Sequence, residues 1–345
     1  MASSRNNHCT DQAEPDLAEP GLSQPGLSQP VVAAVDAVLS AHIEAGQKIV
    51  VGLSGGVDSV VLLHILSRLA SRHDFQLAAC HVHHGLSGNA ALWQQHCASL
   101  CTEWNLPFSA EQVVVADERG EGIEAAARRL RHDVFAGLGA DWIALGHHRG
   151  DQAETLLFNL LRGTGLRGAA AMPPVRRGAL NLLRPLLDVA RQDLIAYARQ
   201  HHLKWVEDES NTDTRFSRNF LRREVLPQLQ QRFPGGEANL AAAARRFGEA
   251  LGLLDDLARL DLGASEAGFP LPVSLFAALD EPRGRNLLRF LLATHGVGIP
   301  SEERLTEALR QLLTARIDRH PSIRLGGHAL YRERGQIKLR AINTS

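Results

Sequence analysis

The chain has 345 residues, 44% hydrophobic and 22% charged, with a formal net charge of −1. This is enough chain for two domains with sizeable cores, and no run of about 18 apolar residues is present to span a membrane. The first residues lack the charged-then-apolar pattern of a secretory signal, and four cysteines (Cys9, Cys80, Cys97, Cys101) without a CxxC pair make no disulfide scaffold, so a cytoplasmic enzyme with reduced thiols is expected. Residues 11–30, DQAEPDLAEPGLSQPGLSQP, repeat a PGLSQ unit with proline every five residues, and residues 1–30 are expected to form a disordered low-complexity tail. A helix is predicted from about Val31 to Ala45. KIVVGL (48–53) reads as a buried strand from its apolar, β-branched run, and the apolar helix DSVVLLHILSRLASRH follows it. FQLAACHVHHGL (75–86) is a second strand, Asn89–Trp104 a helix and SAEQVVV (109–115) a third strand. Residues 122–138 are helical, DWIALGHH (141–148) is a fourth strand, DQAETLLFNLLRG a helix, ALNLLRPL (179–186) a fifth strand and DVARQDLIAYARQHHL a helix.

Strands alternating with helices at this spacing indicate an α/β fold with a doubly wound parallel sheet. The alternation ends near residue 226. Pro227 and the Pro-Gly-Gly triplet at 234–236 put a boundary there, giving a catalytic domain over 31–230. Residues 231–345 are expected to form a smaller, mostly helical domain that ends in a short hairpin within 323–340. Charge is unevenly spread: 13 basic residues face 7 acidic ones over 160–232, and 12 face 5 over 282–345. Two basic blocks suggest contact with a polyanion over part of the surface, although solvated faces would give the same pattern.

The sharpest local signal is LSGGVDS (53–59), between the first strand and its helix. Gly55 and Gly56 let backbone N–H groups approach an anion, and the helix that follows directs its N-terminus to the same point. Ser54 and Ser59 add hydroxyls, and Val57 contributes backbone. Asp58 among phosphates makes sense with a divalent cation, Mg²⁺, between them. The loop lacks the GK[ST] ending of a Walker A motif and is not GxGxxG. It resembles the SGGxDS loop of the N-type ATP pyrophosphatases, which cleave ATP between the α and β phosphates.

Further motifs follow in order: CHVHHGL (80–86), EAAARRLRHDVF (124–135), GHHRGDQAETLLFNLLRGTGLRG (146–168), RPLL (184–187) and WVEDESNTDTRFSRNFLRREVLPQL (205–229). In this order, over residues 46–230, they resemble the tRNA(Ile)-lysidine synthetase family. The family's DD pair is Gly150–Asp151 here, and the Asn of its HVNHG is His83. The chain looks like a shorter family form without the additional terminal domain of the long members.

His147, Asp151 and Glu154 form a second constellation, and on a helix starting near residue 148 the two acids share one face. Three readings compete: a helix-surface cluster, a structural metal site, and a site for a substrate amine. The resemblance favours the last, with Asp151 and Glu154 binding free L-lysine and His147 or a carboxylate accepting its proton. It implies catalytic roles for Asp58, His147, Asp151, Glu154, Arg128 and Arg218, with ATP on residues 54–59 and Mg²⁺ on Asp58. It further implies a ligase reaction in which lysine joins C2 of cytidine 34 in a tRNA(Ile) with a CAU anticodon, through an adenylated cytidine. Arg162, Arg167, Arg222, Arg223 and Arg324 are candidates for the tRNA backbone. A homodimer stands as a candidate assembly. Two rivals remain: a 2-thiocytidine synthetase on the same loop, disfavoured by the missing CxxC, and a non-catalytic nucleotide-binding protein, disfavoured by the second constellation.

Overall fold

The computed structural model describes residues 29–83, 88–114, 123–207, 217–316 and 321–342. In chain order come α1 (Gln29–His42), β1 (Lys48–Gly52), α2 (Val57–His73), β2 (Gln76–His83), α3 (Ala90–Glu103), β3 (Phe108–Gln112), α4 (Ile123–Ala136) and β4 (Trp142–Ala144). Then follow α5 (Arg149–Leu161), α6 (Leu166–Ala169), the two-residue strands β5 (Val175–Arg176) and β6 (Leu182–Leu183), and α7 (Arg191–Gln200). The expected 1–30 tail lies outside the described residues apart from Gln29 and Pro30, which open α1. The chain divides into two compact units, one of residues 1–148 and 177–208, the other of 149–176 and 209–345.

In the first unit, parallel strands stand in the order β3-β2-β1-β4-β6. β1 is central because Ile49, Val50 and Val51 are all buried, as a strand covered on both faces requires. Val50 pairs with Ala78 on one side and Ile143 on the other. Val50, Cys80, Phe135, Ile143, Leu145 and Leu182 share one core cluster. The chain leaves β1 toward β2 and β3 and returns on the other side as β4, so the switch in strand order falls between β1 and β4. Three strands are shorter than the apolar runs suggested: 109–115 gives Phe108–Gln112, 141–148 gives Trp142–Ala144, and 179–186 gives Leu182–Leu183. Apolar residues beyond the paired stretch, such as Leu186 and Leu187, are buried without being strand.

The second unit holds α5, α6 and β5, then α8 (Ser217–Phe220), a π-helical turn at Leu221–Val225, α9 (Leu226–Arg232), α10 (Gly236–Leu262), β7 (Leu271–Pro272), α11 (Val273–Ala277), α12 (Glu281–Thr294) and α13 (Glu302–Thr314). Strands β8 (Ser322–Leu325), β9 (His328–Glu333) and β10 (Gln336–Ala341) finish it. The expected terminal hairpin is therefore part of a four-stranded antiparallel sheet, β7-β10-β9-β8. The fourth strand comes from Leu271–Pro272, too short to carry an alternating pattern. Leu287, Leu291, Leu305, Leu309, Leu330 and Ile337 form the core between α12, α13 and this sheet. Leu156, Ala169 and Ala244 join α5, α6 and α10. Among the described residues no helix is long and apolar enough to cross a membrane.

Candidate functional site

The loop after β1 is wired from within. Ser59 Oγ donates to Gly56 O (2.9 Å) and accepts from Ser54 N (3.2 Å). With its only proton so used, it is the acceptor of the 3.1 Å contact with Ser54 Oγ, which in turn accepts from Gly56 N at 3.3 Å. Gly55 has φ +86°, and a Cβ there would stand 2.9 Å from Val206 Cγ2 and 3.2 Å from Cys97 Sγ. Val206 N donates to Gly55 O at 3.0 Å, so the segment after α7 straps the loop. Gly56 is the N-cap of α2 and gives no side-chain cap, which leaves first-turn N–H groups for an anion.

Behind the loop, the carbonyl of Leu53 can only accept, so His81 Nδ1 carries a proton and donates to it at 2.8 Å. Burial holds the His81 imidazole below its usual pKa. Cys97 Sγ lies 3.6 Å from the same nitrogen, and burial with the neighbouring Cys101 pushes its thiol up to about 12.

Asp58 lies in the first turn of α2. Its Oδ2 is 3.9 Å from His148 Nε2 and its Oδ1 is 3.9 Å from Arg191 Nε. A Cβ on Gly146, two residues past β4, would stand 2.9 Å from Asp58 C, 3.0 Å from Asp58 O and 3.0 Å from Ser59 N. Glycine is what lets the end of β4 pass this close to the helix start. His148, Arg191 and Gly146 were not singled out in the sequence. A glycine two residues past a buried strand is the signal that could have pointed to Gly146; Arg191 carries no local signal. The Asp58 carboxylate fits Mg²⁺ held jointly with nucleotide phosphates, since Mg²⁺ is bound through one or two carboxylates plus phosphates and water. Among the described residues no group of three or more His, Cys, Asp or Glu side chains could hold a metal, so the structural-metal reading of the second constellation finds no geometric support.

The second unit assembles four of the predicted residues. Glu154, on α5, is 2% exposed at its side chain. Its Oε1 accepts from Arg218 Nη1 (2.9 Å) and its Oε2 from Arg222 Nε (2.9 Å). Arg222 Nη2 also donates to Asp151 Oδ1 at 2.7 Å. Arg218 reaches Thr155 Oγ1 at 3.3 Å, and its guanidinium lies over the Phe158 ring at 5.1 Å, as does that of Arg162. Arg167 pairs with Asp255 (3.0 Å), Arg223 is exposed on the π-helical turn, and Arg324 is exposed on β8. His147 is half-buried between β4 and α5. Arg128 is exposed on α4, and its charge adds to burial in lowering the Arg131 guanidinium below its usual value. The segment 208–216, which carries most of the EDESNTD motif, lies outside the described residues.

An anion-ready turn at the switch point of a parallel sheet defines a nucleotide-binding α/β protein, and residues 28–229 match the family described as the PP-loop domain. Residues 271–337 match the TilS substrate binding domain. The chain belongs to the tRNA(Ile)-lysidine synthase family. It is 48% identical to the tRNA(Ile)-lysidine synthase of Azoarcus sp., over 81% of this chain and 63% of that protein. The synthase of Aromatoleum aromaticum is 44% identical over 86% and 70%, and that of Nitrosomonas europaea 41% over 82% and 62%. The chain thus spans about three-fifths to seven-tenths of the length of these relatives. Among solved structures, the U34-tRNA thiolase NcsA from Methanococcus maripaludis matches with a TM-score of 0.56 at 18% identity, covering 65% of this chain and 80% of that one. That likeness concerns the fold.

Proposed function

We propose that this chain is an ATP-dependent ligase that joins the ε-amine of free lysine to C2 of cytidine 34 in a CAU-anticodon tRNA(Ile). The observation that carries the reading is the loop: Ser54–Ser59, with Gly55 at positive φ and uncapped N–H groups of α2, at the switch point of the sheet. Two steps balance the chemistry. The C2 oxygen of cytidine attacks the α phosphorus of ATP, the bond to the β-phosphate oxygen breaks, and pyrophosphate leaves. The lysine nitrogen then attacks C2, the C2–O bond breaks, AMP departs and the amine proton is released.

Fixed donors around the β and γ phosphates stabilise the charge that grows on pyrophosphate. Mg²⁺, bound with the nucleotide, would neutralise phosphate charge beside Asp58, the residue that would hold it. His148 and Arg191 each lie 3.9 Å from one oxygen of the Asp58 carboxylate. A free lysine amine has a pKa of about 10.4 and arrives protonated, so Asp151 and Glu154 would bind the ammonium and His147 or a carboxylate would take its proton. Arg128 and Arg218 would contact the adenylate or the lysine carboxylate. The target base must leave its stack to react, while Arg162, Arg167, Arg222, Arg223 and Arg324 hold backbone phosphates. The work is assigned to the cytoplasm, where tRNA and ATP are available; a homodimer is the assembly to check by light scattering.

Thiolation fits less well. Burial pushes Cys97 up to about 12 and Cys101 up to about 11, so neither is a ready thiolate for sulfur transfer. The test is mass analysis of nucleosides after incubating the chain with an unmodified tRNA(Ile) transcript, ATP, Mg²⁺ and lysine. A gain of one lysyl group on cytidine is expected; cytidine of unchanged mass, or a gain of sulfur, would overturn the reading.

A further inference from the structure

The antiparallel sheet of the second unit has two unlike faces. Side chains alternate along each strand, so Ile323, Leu330 and Ile337 turn one way, into the core with α12 and α13. Arg332 turns with them, and its Nη1 donates to the carbonyls of Leu312 (3.0 Å), Leu313 (3.3 Å) and Ala315 (3.1 Å) at the end of α13. Ser322 and Arg324 on β8, Tyr331 on β9, and Lys338 and Arg340 on β10 turn the other way. Ser322, Arg324 and Arg340 are exposed and Tyr331 and Lys338 half-buried, so this second face meets water. Residues 322–341 carry five Lys or Arg and a single acid, Glu333, which makes the face basic.

Strand register sets these side chains in two adjoining rows across three strands. One row is Arg324–Ala329–Arg340 and the next is Ser322–Tyr331–Lys338. Strands lie about 4.8 Å apart, so Arg324 and Arg340 flank Ala329 with roughly 10 Å between their backbones. The Arg340 guanidinium lies over the Tyr331 ring, 5.2 Å from its centroid. Lys338 Nζ pairs with Glu333 Oε2 at 2.7 Å. Phosphates alone would need only the cations. The ring adds something further: it holds a guanidinium over its face, and a guanidinium plane is a stacking partner for an unpaired base. A duplex hides its base faces and cannot use it.

We propose that this sheet face docks an unpaired nucleotide of the tRNA, other than the reacting cytidine. The base stacks on the outer side of the Arg340 guanidinium. Tyr331 is the positioning residue beneath it, and Arg324 takes a neighbouring phosphate. This rests on the tRNA reading above and adds to it how a second part of that substrate is held.

The test is equilibrium binding of three RNAs by the full chain over a range of salt: the unmodified transcript, a single-stranded oligonucleotide, and a duplex of the same length. Arg340→Gln should weaken the transcript and the single strand by about 5- to 100-fold, the range of one lost base stack. Tyr331→Leu should weaken the same two by about 2- to 5-fold, the scale of an exposed cation–π contact, and spare the duplex. Tyr331→Phe, which keeps the ring, should bind as wild type does. Arg324→Gln should make the salt dependence of single-strand binding shallower by about 0.7 in log–log slope, one phosphate contact. Unchanged affinity in Arg340→Gln, or equal losses for single strand and duplex in Tyr331→Leu, overturns the dock. Should Tyr331→Leu not fold, Arg340→Gln decides, since that side chain is exposed. A wild-type chain that adds no lysine to the transcript overturns the functional reading, and the oligonucleotide arms still decide the dock.

Discussion

Alanine at position 146 probes the tightest backbone approach in the nucleotide half of the protein. The added Cβ would lie 2.9 Å from Asp58 C, 3.0 Å from Asp58 O and 3.0 Å from Ser59 N. All three are main-chain atoms of the first turn of α2, so no side chain can rotate away. Ordinary contact begins at 3.4 Å, and the two segments must part by about 0.5 Å. Overpacking of this kind costs about 1–3 kcal/mol. At about 2–4 °C per kcal/mol for a chain segment of this size, the melting temperature should fall by about 2–12 °C. The displacement falls on Asp58 and Ser59. Since a 1 Å misplacement at a reacting site costs about 100-fold, kcat should fall by about 10-fold. Thermal denaturation of Gly146→Ala beside wild type, with initial rates at saturating ATP, measures both. Unchanged melting temperature together with unchanged kcat would refute the claim that the end of β4 fixes the loop.

Gly55→Ala forces a side chain into the left-handed region at φ +86° and against Val206 and Cys97, and should cost about 1–2 kcal/mol from handedness alone and raise the KM for ATP. Gly56→Ala, whose Cβ meets only Ser54 Oγ at 3.5 Å, should change the melting temperature less, and the reverse order would contradict the loop geometry. Cys97 and Cys101, with thiols pushed up to about 12 and about 11, should resist iodoacetamide at pH 8 until the chain is unfolded; rapid labelling of native protein would contradict their burial. Burial, then the nearby charges of His201 and Arg68, pushes His64 down to about 4 from 6.5. Below pH 6.5 the unfolded chain takes up a proton that the fold refuses, so stability should fall as pH drops from about 6.5 toward 4. Melting curves across that window should be flatter for His64→Phe, and an equal slope would contradict the assignment.

The central strand and loop were legible because their chemistry is local. KIVVG needs no partner to read as buried strand, and SGGVDS gathers glycines, hydroxyls and a carboxylate within six residues. Asp151 and Glu154 were legible as a pair from helical spacing. Their arginine partners, 64 and 68 residues away, were legible as basic residues but not as ion-pair partners, because no local pattern joins α5 to α8. Arg191 was missed for the same reason. The short strands were overextended because burial and strand pairing are different constraints: Leu186 is fully buried but lies outside the paired residues of β6. Pro227 read as a breaker, yet it stands in the first turn of α9, where the helix continues straight from the π-helical turn Leu221–Val225. Leu271–Pro272 joins a sheet whose other strands begin some fifty residues later, which only tertiary contact reveals.

The chemistry rests on which phosphorus is attacked. ATP labelled at the α or the γ position, incubated with the chain, transcript, lysine and Mg²⁺, separates the outcomes by chromatography. The account predicts label in AMP and in pyrophosphate respectively, in proportion to lysine incorporated and lost in Asp58→Ala. Label in ADP and orthophosphate, or full turnover by Asp58→Ala, would contradict it.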